Sequence, residues 1–170
     1  GVALGTMVAN LSANKRGWEK DWEKFSKWAE KGLAYQNKLL SLVDEDTNAF
    51  NKIMEAFRMS NDSKEDKLKR NQAIQEATKY AINTPFKVMD ISLKSMEVMK
   101  EMARSGNPNS ITDSAVGALC ARTAIRGAYL NVQINCKDCE DQNFIKEMLK
   151  DCEIILEKAI KEENTILEIA

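Results

Sequence analysis

The stretch GNPNSITDSAVGALCARTAIRGAYLNVQIN, residues 106–135, decides how the chain folds. Pro108 pushes Asn107 out of helical angles, and Gly106 can close the helix before it. Thr112 or Asp113 then offers a side-chain oxygen to the unpaired N–H groups of a new first turn. Behind that start runs an apolar helix whose smallest residues, Gly117, Ala121, Ala124 and Ala128, recur at helical spacing. Such a seam predicts a neighbouring backbone at close range. Asn131 and Asn135, four apart, share a face, and two carboxamides on a largely apolar helix are costly to bury unless something hydrogen-bonds them. The stretch therefore reads as helix packed on helix, with a polar interruption near one end.

The helical period extends upstream. Residues 1–12 read as a helix already under way, with Ala3, Met7 and Asn10 along one face. After a turn at 14–17, Trp18, Trp22, Phe25 and Trp28 or Ala29 follow at steps of three and four, the mark of an amphipathic helix. The mixed-sign charges between these aromatics favour packing over a platform for stacked bases. The period continues through Leu39, Leu40, Val43, Phe50, Ile53, Met54 and Phe57 and encloses LVDEDTNAF at 42–50. Three consecutive acids there, Asp44, Glu45 and Asp46, project about 100° apart. With Leu39, Val43, Phe50 and Ile53 as the buried side, Asp46 falls on or beside it. Apolar neighbours would suit that carboxylate to proton transfer near neutrality, while a solvated acidic patch accounts for the same residues.

Ser63 and Asp66 form a capping-box pattern at the start of the next run, 68–102, which Pro85 interrupts and should kink. Its methionines, Met89, Met96, Met99 and Met102, read as core filler. Lys64, Lys67, Lys69 and Arg70 make a small basic cluster that would suit either solvent or an anionic tail. Downstream of the central stretch, Cys136 and Cys139 are spaced CxxC with Cys152 beyond them. A zinc site needs a fourth ligand and a redox CxxC normally follows a strand, so the segment reads as a loop into a last helix begun by Asp141.

The 170 residues carry 25 basic and 26 acidic side chains, for a net charge of −1. That balance offers no electrostatic footprint for nucleic acid, and no run of ~18 apolar residues is present to span a membrane. Four cysteines without a framework spacing suit reduced thiols in a cytoplasm. Histidine is absent, which removes imidazole from any catalytic or metal-binding role. The expected architecture is all-α, an up-and-down bundle of about five or six helices forming a single domain over 1–170.

GNPNS at 106–110, Asp113, GAYLNVQIN at 127–135 and LVDEDTNAF at 42–50 closely resemble the signature segments of the formiminotransferase-cyclodeaminase / methenyltetrahydrofolate cyclohydrolase family. The resemblance implies a dimeric helical enzyme of one-carbon metabolism, an ammonia lyase that closes 5-formiminotetrahydrofolate to 5,10-methenyltetrahydrofolate in histidine degradation. It implies Asp46 as proton acceptor, and the same carboxylate can serve as donor in turn; by their polarity and position, Asn10, Asp113, Asn131 and Asn135 are the expected substrate-binding residues. It implies no cofactor or metal beyond the tetrahydrofolate derivative, with or without a polyglutamate tail, and a formiminotransferase as partner or fused domain. The family's glycine-rich lead-in to the first helix has no counterpart before Val2, and truncation is the expected reason. LVDEDTNAF and GAYLNVQIN look more like the cyclodeaminase arm. The alternatives are the cyclohydrolase of the same fold and, in another class, an inactive helical folate-binding or assembly module.

Overall fold

Five α-helices account for nearly the whole chain, and no strand is present in the computed structural model, which describes residues 1–170. They are α1 (Val2–Ala13), α2 (Trp22–Arg58), α3 (Lys64–Ser105), α4 (Ile111–Cys136) and α5 (Gln142–Ile169), with short 3-10 turns at Glu19–Asp21 and Pro108–Ser110. The expected all-α bundle is the observed one. No helix is long and apolar enough to cross a membrane.

The helix starts follow local chemistry. Ser63 Oγ accepts from the Asp66 N–H at 3.0 Å while the Asp66 carboxylate accepts from the Ser63 N–H at 3.2 Å, so the predicted capping box opens α3. Asp141 Oδ1 accepts from the Phe144 N–H at 3.0 Å and starts α5. The start of α4 differs from expectation. Ser110 occupies the cap position without a side-chain bond, and Thr112 and Asp113 sit inside the first turn. The preceding 3-10 turn supplies the local order instead, through Asn107 Oδ1 accepting from the Asn109 N–H. Asp113 still lies where its negative charge opposes the positive end of the helix dipole.

The 42-residue α3 is the central element and packs against the other four helices. Met89, Met96, Met99 and Met102 along it are fully buried, as their spacing predicted. Met89, Met96 and Met99, with Ile82, meet Ile125 and Val132 of α4 and Cys152, Ile155 and Ile166 of α5 in the main core. Burial pushes the Cys152 thiol up to about 12. The small-residue seam behaves as predicted at Gly117, Ala121 and Ala128, which are buried, but Ala124 is exposed.

The buried face of α2 is a correction. Leu42, Ala49 and Ala56 turn inward, whereas Val43 and Phe50 are 63% and 62% exposed. Two apolar stripes run along this helix, and hydrophobicity alone favours the larger one. Close packing selects the stripe of small residues, because it lets α2 lie near the backbone of α3. The pair runs antiparallel, held along its flank by Lys24–Glu101, Lys31–Glu97 and Lys87–Glu45 ion pairs. Tyr35 donates to Glu97 at 2.5 Å, and burial followed by that carboxylate pushes its hydroxyl up to about 12.

Helices α2 and α4 both rest on α3 but barely touch each other, which leaves a trough along the bundle. The short α1 occupies one half of it. Phe25 and Ala29 of α2 and Val98 and Met102 of α3 close around Val8, Ala9 and Ala13. The fit depends on bare backbone at several points. A Cβ on Gly117 would stand 3.0 Å from Gly1 O and 3.0 Å from Met99 Cγ, and one on Gly32 would overlap Thr6 Oγ1. Ser12 anchors the far end, donating to Val8 O at 2.7 Å and accepting from the Asn107 N–H at 2.8 Å. Gly32→Ala should therefore lower stability to chemical denaturation, overpacking of about 1–3 kcal/mol acting against a helix-propensity gain of just under ~1 kcal/mol. Thr6→Ala in the same chain should restore most of the loss.

Candidate active site

The half of the trough that α1 leaves open is a groove of about 640 Å³. Its floor is one face of α3, Thr84, Pro85, Val88 and Ser92. One wall is α2, with Leu39, Leu42, Val43, Asp46 and Thr47, and the other is α4, with Ala124, Gly127, Ala128 and Asn131. The N-terminus of α1 lies against Gly117 and Ala121, one turn before Ala124 in the groove wall.

Of the three consecutive acids on α2, Asp46 alone lines this groove. Glu45 points around the helix to pair with Lys87; loss of solvation, and after it the Glu45 charge, raises the Tyr80 hydroxyl above its ordinary value. Asp44 is exposed. Asp46 is also exposed, at the rim rather than on the buried stripe, and neither an ion pair nor a side-chain hydrogen bond occupies its carboxylate. The rotation of α2 described above is the reason. Asn131 faces the same groove from α4 with its side chain likewise unengaged.

Asn135, one turn beyond Asn131, has a different task. Its Nδ2 donates to the backbone carbonyl of Ala81 at 2.9 Å. Ala81 lies four residues before Pro85, and proline has no N–H to give that carbonyl. The α3 helix runs on through Pro85, with Asn135 supplying the missing donor. Pro85 is thereby held in the floor of the groove, and Asn131 is held in its wall. The remaining two sequence candidates lie elsewhere. Asn10 is exposed near the C-terminal end of α1, outside the groove. Asp113 is half-buried in the first turn of α4, separated from Asn131 by about 27 Å of helix. Thr84, Ser92 and Gly127 were missed by sequence reading. The signal for Gly127 was present, since glycine in mid-helix costs stability without an evident local reason.

Polar groups on a helical floor between two helical walls, beside a proline-interrupted helix, give this all-α domain a groove of the kind small molecules occupy. The chain belongs to the formiminotransferase-cyclodeaminase family, whose sequence pattern matches residues 1–154. It is 31% identical to the methenyltetrahydrofolate cyclohydrolase of Methylorubrum extorquens over 159 residues, which cover 94% of this chain and 76% of that protein. It is 30% identical to the formimidoyltransferase-cyclodeaminase of Sus scrofa over 168 residues, 99% of this chain but only 31% of the pig protein. The crystal structure of formiminotetrahydrofolate cyclodeaminase from Thermotoga maritima superposes with a TM-score of 0.85 at 26% identity, covering 99% of this chain and 80% of that one. The family is one of folate enzymes that includes cyclodeaminases and cyclohydrolases.

Asn135→Ala should cost about 1–3 kcal/mol by orphaning the Ala81 carbonyl. In a Pro85→Ala background, which restores an N–H to that carbonyl, the cost should shrink markedly. A double-mutant cycle in urea measures the difference.

Proposed function

We propose that the chain acts as a formimidoyltetrahydrofolate cyclodeaminase, converting 5-formiminotetrahydrofolate to 5,10-methenyltetrahydrofolate and ammonia. The observation that carries this reading is the unengaged carboxylate of Asp46 facing the groove opposite Asn131. The reaction is intramolecular. N10 of the substrate attacks the formimino carbon, the new C–N10 bond closes a five-membered ring, and the N10 proton passes to Asp46. The substrate enters as its amidinium cation, so the former imino nitrogen already carries two hydrogens when Asp46 returns the N10 proton to it; ammonia then departs with the C–N bonding pair while a ring-nitrogen lone pair forms the methenyl cation. Both nucleophile and electrophile belong to one molecule, so holding the two atoms in attack geometry does much of the work.

A single carboxylate suffices for both transfers if it is near each nitrogen in turn. Asp46 is free to do so because Glu45, not Asp46, takes the Lys87 ammonium. Seating a ligand in the groove displaces water from around Asp46 and makes it a more effective base. Asn131 provides an amide to hold the substrate's polar edge, and Asn135 positions that stretch of α4 through its bond to Ala81. No metal or further cofactor is required by this chemistry. Asp113 and Asn10 can join such a site only across a subunit boundary or through a long ligand. We place the dimer on the open side of the groove, where Leu40, Val43, Phe50, Leu130 and Ile134 are exposed. The pig relative's name pairs a formimidoyltransferase with the cyclodeaminase, and a transferase of that kind, fused or separate, would supply the substrate.

The second reading is methenyltetrahydrofolate cyclohydrolase, favoured by the relative in Methylorubrum extorquens that this chain covers over 76% of its length. There water adds to the methenyl carbon, a proton leaves that water, and the ring opens to a formyl group. The two readings part in one assay. Purified protein with 5-formiminotetrahydrofolate should release ammonia and raise methenyl absorbance in equal amounts, above the uncatalysed rate. Asp46→Asn should slow this roughly 100-fold or more with helical content unchanged. Consumption of added methenyltetrahydrofolate without ammonia-linked formation establishes the cyclohydrolase instead.

A further inference from the structure

The groove has two ends of different chemistry. Asp46, Thr47, Thr84 and Asn131 gather at one, whereas the other offers a single hydroxyl, Ser92, among Leu39, Val88 and Ala124. Two residues toward that second end present surface to the groove that no other residue among 1–170 engages.

The first is Gly127. It lies in mid-helix and exposed, and a Cβ added there would meet nothing within 4 Å. Glycine in a helix interior is unfavourable relative to alanine, because more backbone freedom is lost on folding. Gly32 and Gly117 have neighbours that demand bare backbone; Gly127 has none within its own chain.

The second is Ser92. The residue is only 3% exposed, and its hydroxyl makes no hydrogen bond with another residue, although its carbonyl accepts from Ser95. Many helical hydroxyls bond back one turn, as Ser12 does to Val8 O, Thr84 to Tyr80 O and Thr123 to Leu119 O, although Thr78 and Ser114 do not. Nor does Ser92, and it lines the groove. Ser92 Oγ opens onto the groove rather than bonding within residues 1–170, so a ligand seated there is its natural partner.

We propose that this half of the groove seats the p-aminobenzoyl group of the folate, with the ring flat against the backbone bared at Gly127 and its carboxamide oxygen accepting from Ser92. This rests on the folate reading above. Seven residues of α3 separate Pro85, level with the Asp46 end, from Ser92, a rise of about 10 Å. A para-substituted benzene ring with a hydrogen bond at each end bridges that span. A pterin carries donors and acceptors around its rim and would leave several unpaired between Leu39, Val88 and Ala124. A benzamide asks for one partner there, and one is present.

The test compares wild type with Gly127→Ala and Ser92→Ala by calorimetry and thermal melting. One probe is 5-formyltetrahydrofolate; the other is 5-formyl-6-methyltetrahydropterin, which lacks the aminobenzoyl group. Gly127→Ala is expected to melt higher than wild type yet bind the whole folate roughly tenfold or more weakly, because the new methyl occupies the ring's place. Ser92→Ala is expected to lose about three- to tenfold on the whole folate, the range of one neutral hydrogen bond. Neither change should alter binding of the pterin. Unchanged folate affinity in both variants overturns the assignment, as does an equal loss on both probes, which would put the pterin at this end. A lower melting temperature for Gly127→Ala overturns the glycine's role as a ligand seat. If wild type binds neither probe, the folate reading itself falls, an outcome read before any variant is compared.

Discussion

Thr6 of α1 stands so close to α2 that only a glycine, Gly32, fits opposite it. That approach, repeated at Gly117 of α4, lets a twelve-residue helix sink between two long helices that would otherwise have nothing to hold between them. The depth of α1 in turn fixes the spacing of α2 and α4 above α3. Along the rest of α3 the same spacing continues between α2 and α4 as a groove. Among residues 1–170, the lining of the groove comes entirely from α2, α3 and α4, so those walls move only if the bundle moves.

A second constraint operates in the floor. Pro85 removes one hydrogen bond from α3, and the freed Ala81 carbonyl would be an unpaired polar group facing α4. Asn135 satisfies it from the neighbouring helix at 2.9 Å. The bond ties the register of α4 to that of α3 at the level where Asp46 faces Asn131. One carboxamide therefore serves structure, and the other, a turn away, is left free for a ligand. Equivalent residues in the sequence acquire different roles because only one of them has an orphaned carbonyl opposite it.

The division of labour among the acids on α2 has the same character. Glu45 is drawn to Lys87 and toward the Tyr80 hydroxyl, which leaves Asp46 without a cation beside it on the groove side. A carboxylate locked in an ion pair is a poor proton carrier, so the pairing of its neighbour leaves Asp46 available for the role proposed for it. Sequence reading singled out Asp46 but placed it on a buried stripe through Val43 and Phe50, and both of those are exposed. Alternation of apolar residues cannot tell which of two stripes a partner will choose. The size of the residues decides, since Ala49 and Ala56 permit a closer approach than Phe50 would.

By itself the sequence determined the helices, their caps at Ser63 and Asp141, the methionine-rich core of α3 and the resemblance that points to folate chemistry. Those features depend on neighbours within a few positions, or on short motifs, and so are written locally. Tertiary structure alone decided which candidates share a site. Asp46, Pro85 and Asn131 come from three helices and meet only because α2 and α4 straddle α3. Asn10 and Asp113, equally polar and equally well placed on their own helices, fall outside the groove because α1 fills that part of the trough. Helical periodicity reports the face on which a residue lies, but its partner across the bundle depends on how far each helix slides and rotates, and close packing of the whole core sets that.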